Sequence, residues 1–107
     1  MDRIDHIAIS VTDIPSSVEW YRRHFDCKVL YQDTTWAMLE FANIKMAMVV
    51  AEQHPPHIAF ISPDAATFGP LKGHRDGTRS VYVSDPAGNS VEIVEGDPYA
   101  NMGKKDG

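Results

Sequence analysis

The tetrad His6-Ile7-Ala8-Ile9 returns as His57-Ile58-Ala59-Phe60, and each histidine is followed seven positions later by an aspartate, Asp13 and Asp64. A second echo, Asp33 with Glu40 and Asp85 with Glu92, runs in the same order at nearly the same offset, roughly half the 107-residue chain. Two ordered matches at one spacing point to two copies of a single supersecondary unit. A chain of this length forms one domain, so the copies share one core.

The first copy, about residues 3–52, reads as β-α-β-β-β. Residues 3–11 alternate and are rich in Ile and Val, which predicts a strand, and Asp13 stands where a helix N-cap belongs. Ile14, Val18, Tyr21 and Phe25 then form one apolar helical stripe. Lys28 to Asp33, Trp36 to Phe41 and Lys45 to Ala51 are three short β-prone runs. The second copy, about 56–95, starts after His54-Pro55-Pro56 with a strand from His57 to Ser62. Its helix is cut short by Gly69-Pro70. Residues 73–78 read as loop, and only Ser80 to Ser84 and Ser90 to Glu95 read as strands, so one strand is expected to be missing. Residues 96–107 are expected to form a flexible tail.

Strand alternation places His6 with Ala8 and Ser10, His57 with Ala59 and Ile61, and Glu92 with Ser90 and Val94, each opposite an apolar stripe. In one curved sheet with helices outside, these three side chains meet within the curve. Two imidazoles and a carboxylate among small neighbours suit a divalent cation with open coordination positions; Mn, Fe, Co, Ni and Zn all fit. His24, beside Arg22 and Arg23, reads as exposed. His54 precedes two prolines and His74 sits in a Gly-rich loop, and neither reads as a ligand. The segment from Lys72 to Arg79 is basic and reads first as a solvated loop.

Composition narrows the partners. A net charge of −5 and a pI near 5.4 leave no broad basic surface, so nucleic acid is not an expected partner. Cys27 is the single cysteine, which excludes an internal disulfide framework and favours a reducing compartment. The mixed charges at the start and the short apolar runs predict neither a signal peptide nor a membrane span. The expected location is the cytoplasm.

The segments Ile4-Asp5-His6-Ile7-Ala8, Pro56-His57-Ile58-Ala59-Phe60 and Ser80 through Ile93, the last containing Asp85-Pro86-Ala87-Gly88-Asn89, together resemble the vicinal oxygen chelate superfamily. That superfamily includes glyoxalase I, extradiol dioxygenases, methylmalonyl-CoA epimerase, fosfomycin-resistance enzymes and bleomycin-binding proteins. The resemblance implies an α+β fold of paired βαβββ modules, the second here shortened, with His6, His57 and Glu92 as metal ligands. Glyoxalase I enzymes add a glutamate from the fourth strand of the first module, and no carboxylate lies in Lys45 to Val50. The internal echo nominates Glu40 instead, but its strand is third, and strand order is the better guide.

The resemblance implies a metal-dependent enzyme acting on a small substrate chelated through two oxygens, whether lyase, isomerase, dioxygenase or transferase. Tyr82 is the candidate to orient or protonate the substrate. Ser80, Arg75, Arg79 and Trp36 are candidates to bind it, the arginines through a carboxylate or phosphonate. Extradiol dioxygenases also use a histidine beside their tyrosine, and none is clearly placed by this sequence. Fosfomycin-resistance enzymes carry a threonine two places after the first ligand, where this chain has Ala8. The rival reading is a metal-independent binding protein of the bleomycin-resistance type, its curved sheet lined by Trp36, Tyr82 and methionines. A missing strand exposes a sheet edge, which predicts a homodimer.

Overall fold

The computed structural model describes residues 1–75 and 77–96. Among these residues the order is β1 (Arg3–Ser10), α1 (Ile14–His24), β2 (Lys28–Gln32), β3 (Trp36–Glu40), β4 (Lys45–Val49), β5 (His57–Ile61), a 3-10 helix (Ala65–Phe68), β6 (Lys72–Gly73), β7 (Arg79–Ser84) and β8 (Ser90–Val94). The eight strands make one curled mixed sheet in the order β2-β3-β4-β1-β5-β8-β7-β6. The α+β class follows, and no helix among the described residues is long and apolar enough to cross a membrane.

The duplication is plain in the pairing. β1 runs parallel to β4 and β5 runs parallel to β8, while β1 and β5 meet antiparallel at the centre. The strand expected to be missing is present as the two residues of β6, which pair with Arg79 and Ser80 of β7. Glycine and proline at 69–70 and the two-residue ladder left it without a readable β pattern. The helix of the second module, expected to be cut short at Gly69-Pro70, is the four-residue 3-10 helix ending at Gly69. Asp64 makes no side-chain cap there, and Gly69 closes it at φ +150°.

The helix α1 begins as the sequence predicts. The Asp13 carboxylate accepts from the Ser16 amide at 3.0 Å, satisfying one of the free N–H groups of the first turn. Ile14 and Val18 are buried against Ala37, Leu39, Met46 and Met48, forming the main core on the convex side of the first module. Tyr21 packs at its margin, whereas Phe25 lies just beyond the last turn and is exposed. Met38, Ala47 and Val49 point to the concave side and pack with Ala8. Residues 97–107, and with them nearly all of the expected flexible tail, lie outside the described residues.

Candidate metal centre

Three local features aim the site. The first is the turn between β7 and β8. Asp85 accepts from the amides of Ala87 and Asn89 and from the Asn89 side chain, and Gly88 takes the φ of +87° that the turn requires. This fixes the register in which Glu92 lies opposite Tyr82. The second is the parallel pairing of β5 with β8, which sets Glu92 beside Ala59, one concave position from His57. The third is a bulge in β1. Ile4 pairs with Phe60 and His6 with Ala59, so Asp5 is an extra residue whose side chain turns to the His6 side.

His6, His57 and Glu92 are all buried, and one potential ligand atom from each falls within 4.8 Å of the others. Glu92 Oε1 lies 3.2 Å from His6 Nε2 and 3.0 Å from His57 Nε2. The other nitrogen of each ring is already engaged: His6 Nδ1 with Asp5 Oδ2 and His57 Nδ1 with the carbonyl of Pro55, both at 2.7 Å. An Nδ1–H donated to each of these acceptors leaves both Nε2 lone pairs turned toward a carboxylate oxygen. Neutral imidazoles in that arrangement repel the carboxylate unless a cation lies among the three, so the donor set fits a divalent ion.

The second carboxylate oxygen is held separately. Ser80 Oγ donates to Glu92 Oε2 at 2.6 Å, and His74 Nε2 lies 2.7 Å from Ser80 Oγ and 3.5 Å from Oε2. Burial pushes the Glu92 carboxyl up, but its close contacts with the His57, His6 and His74 rings and the Ser80 hydrogen bond outweigh it and hold it far below the ordinary carboxylate range. Burial likewise pushes His6 down, and its contacts with Asp5 and Glu92 outweigh that and raise it. Tyr82 is raised well above its usual value, by burial first and then by the Glu92 charge. Its hydroxyl stands 3.4 Å from His57 Nε2.

The triad opens into a cavity of about 270 Å³. The first module supplies an apolar wall, Trp36, Met38, Ala47 and Val49; the second supplies Tyr82 and His74, and the linker between the modules supplies His54. The two histidines had no readable role in the sequence because linker and loop conformations place them. His54 stacks near Tyr82 with ring centroids 6.3 Å apart, and burial followed by the charges of His74 and His57 lowers its pKa. A histidine therefore does stand beside the tyrosine.

The remaining candidates divide. Trp36 lines the cavity and Ser80 lies behind it, 1% exposed. Arg75 is at the mouth, but its guanidinium is engaged by Asp33 at 2.9 Å and Thr35 at 2.5 Å. Arg79 lies outside the cavity lining and forms a two-pronged exposed pair with Glu95, at 2.9 and 2.6 Å. Glu40 is exposed at the end of β3. The parallel ladders make Ala47 the counterpart of Glu92, since Ala8 pairs with Ala47 as Ala59 pairs with Glu92. The echo that nominated Glu40 thus matched a third strand to a fourth.

A family model described as the Glyoxalase/Bleomycin resistance protein/Dioxygenase superfamily matches residues 3–68. No curated protein sequence matches the chain. Among solved structures, methylmalonyl-CoA epimerase in complex with methylmalonyl-CoA and NH4+ is similar at TM-score 0.69 and 20% identity, over 92% of this chain and 96% of that one. The Streptomyces coelicolor methylmalonyl-CoA epimerase with 2-nitronate-propionyl-CoA gives 0.68 and 22%, over 86% and 95%. A superfamily member from Vibrio splendidus 12B01 gives 0.60 and 10%, over 88% and 98%. At these identities the structures establish a shared fold. With the family match covering more than half of the sequence, the chain belongs to the glyoxalase/bleomycin resistance protein/dioxygenase superfamily.

Proposed function

We propose that the protein is a metal-dependent enzyme that binds a small substrate through two neighbouring oxygens. The observation that carries this reading is the convergence of His6 Nε2, His57 Nε2 and Glu92 Oε1, with both Nδ1 atoms anchored elsewhere. A divalent ion, one of Mn, Fe, Co, Ni or Zn, held by these residues would act as a Lewis acid toward charge developing on the substrate oxygens. Ala47 in place of a fourth carboxylate leaves room for both oxygens.

The protein's own groups do the rest. The apolar wall of Trp36, Met38, Ala47 and Val49 holds the hydrocarbon part of the substrate and excludes water. The Tyr82 hydroxyl hydrogen-bonds to a substrate oxygen or protonates it, and His54 accepts a proton from the cavity side. Arg75 takes an anionic substrate group only by giving up Asp33. CoA esters, held by the epimerase structures above, are one substrate class compatible with a cavity open at its mouth. We place the protein in a reducing, cytoplasmic setting. We also carry a homodimer in the proposal, because among the described residues β6 covers only the first two residues of β7 and leaves an edge that a second copy would cover. A monomer in sedimentation equilibrium at micromolar concentration would remove the dimer.

Elemental analysis of tag-free protein purified without chelator tests the main reading, with wild type and Glu92→Gln side by side. Near-stoichiometric metal in the wild type and its loss in the variant are expected. A wild type that is metal-free and takes up no added Mn, Fe, Co, Ni or Zn would transfer the protein to the rival reading, a metal-independent binder using the apolar wall.

A further inference from the structure

Behind His6 lies a pair of buried charges that the proposed chemistry does not use. Asp5 is 6% exposed and Lys45 7%, and Lys45 Nζ lies 2.7 Å from Asp5 Oδ1 while Asp5 Oδ2 takes His6 Nδ1 at the same distance. Lysine is almost never this buried without a partner. A buried ion pair is a poor source of stability, because removing two charges from water costs about as much as their attraction returns, or more. An apolar pair would fill this position at least as well as far as folding is concerned. Two separate backbone features nonetheless bring the charges together. The bulge at Asp5 turns its side chain from the convex face, where strict alternation would put it, to the His6 side. The parallel register of β1 with β4 then sets Lys45 directly beside His6.

We propose that Lys45 and Asp5 form a positioning pair that fixes the His6 ring for metal binding. The inference rests on the metal-enzyme reading above. Asp5 has two oxygens and two claimants. With Lys45 on Oδ1, the carboxylate is held in the one orientation that presents Oδ2 to His6 Nδ1, and the ring then keeps Nε2 on the site. Without Lys45 nothing holds Oδ1 in place, the carboxylate turns toward water, and the anchor weakens. His57 needs no such device, since its Nδ1 is held by a backbone carbonyl. The asymmetry is built into the two copies: Pro56 stands before His57 where Asp5 stands before His6.

The test is titration of the whole, tag-free chain with Co2+, read both as affinity and as the position of the Co2+ absorption bands. Lys45→Met and Asp5→Asn are each expected to weaken binding roughly 10–100-fold, the usual consequence of removing a partner of a metal-ligating histidine. Both are expected to shift the bands, and Lys45→Arg is expected to restore them. The sharper expectation concerns the double variant. In Asp5→Asn alone, the amide oxygen is drawn to the Lys45 ammonium and the NH2 group faces His6. Removing the ammonium as well frees the amide oxygen for Nδ1–H, so Asp5→Asn/Lys45→Met should bind Co2+ more tightly than Asp5→Asn. It also removes both charges of the Asp5–Lys45 pair together, so it carries the test if Lys45→Met fails to fold by circular dichroism. Wild-type affinity and bands in Lys45→Met would overturn the proposal, as would a double variant that binds no better than Asp5→Asn. A wild type that binds no Co2+ sinks the metal reading itself and this inference with it.

Discussion

The two modules share one chain plan and divide the work between them. The first buries Ile14, Val18, Leu39 and Met48 under a three-turn helix and turns a nearly featureless apolar wall to the cavity. The second has one turn of 3-10 helix over its convex face, leaving Phe68 and Ile58 about half exposed. Its concave face carries His57, Glu92, Ser80, Tyr82 and His74, while the first module adds His6 with its buried pair. Duplication supplies two equivalent surfaces, and only one has to be optimised for packing. The other is free to accumulate buried polar groups that cost stability and hold function.

The largest expected effect tests where the stability lies. Leu39→Ala, at a position with no exposure, should cost about 2–5 kcal/mol in denaturant unfolding. Phe68→Ala, at 53% exposure on the corresponding face of the second module, should cost no more than about 0.5 kcal/mol. Equal losses would break the comparison. The next effect should come from the chemical side. If the second module is held together by its ligand set, saturating metal at a hundred times its Kd should add about 2.7 kcal/mol to wild-type stability. Glu92→Gln should gain nothing, and a gain in that variant equal to wild type would place the ion elsewhere.

A smaller effect concerns how each helix starts. Asp13→Ala should cost about 1 kcal/mol, since it frees the Ser16 amide, whereas Asp64→Ala should be close to neutral because Asp64 caps nothing. The paired aspartates also mark how far the sequence was legible. The His–Asp echo located both β-helix junctions correctly, yet identical letters made a cap in one copy and none in the other. What differs is Gly69-Pro70, which stops the second helix before a cap has a turn to satisfy. Strand alternation brought His6, His57 and Glu92 to one face because parity depends on nothing but local backbone. It does not extend to Asp5, where a bulge resets parity, and bulges have no dependable signature in one sequence. His54 and His74 were passed over for a related reason. His54 lies in a turn closed by its amide on the Val50 carbonyl, and His74 in the loop after β6, a strand too short to show a pattern.

The smallest effect lies at the mouth, where the two modules touch through side chains. Asp33 in the β2–β3 turn accepts from Tyr31, from the Thr35 and Trp36 amides and from Arg75, which reaches it from the β6–β7 loop. Burial pushes its carboxyl up, but the Tyr31, Thr35 and Trp36 hydrogen bonds outweigh that and bring it to about 2. A carboxyl lowered on folding contributes stability that is complete above its ordinary value of 3.8 and lost as pH falls toward 2. Asp33→Asn should therefore be less stable than wild type at neutral pH, by up to about 1 kcal/mol given the exposure of the Arg75 pair. The difference should close as pH is lowered from about 4 to about 2, measured as the gap between the two denaturation midpoints at each pH. Arg75→Gln should remove a smaller share at neutral pH and leave the acid dependence in place, since the turn's own donors lower Asp33 in the absence of the guanidinium. If Arg75→Gln instead abolished that dependence, the contact between modules, and not the turn of the first module, would be what holds the carboxylate. The first module would then rely on the second at the mouth as well as at the His6, His57 and Glu92 triad.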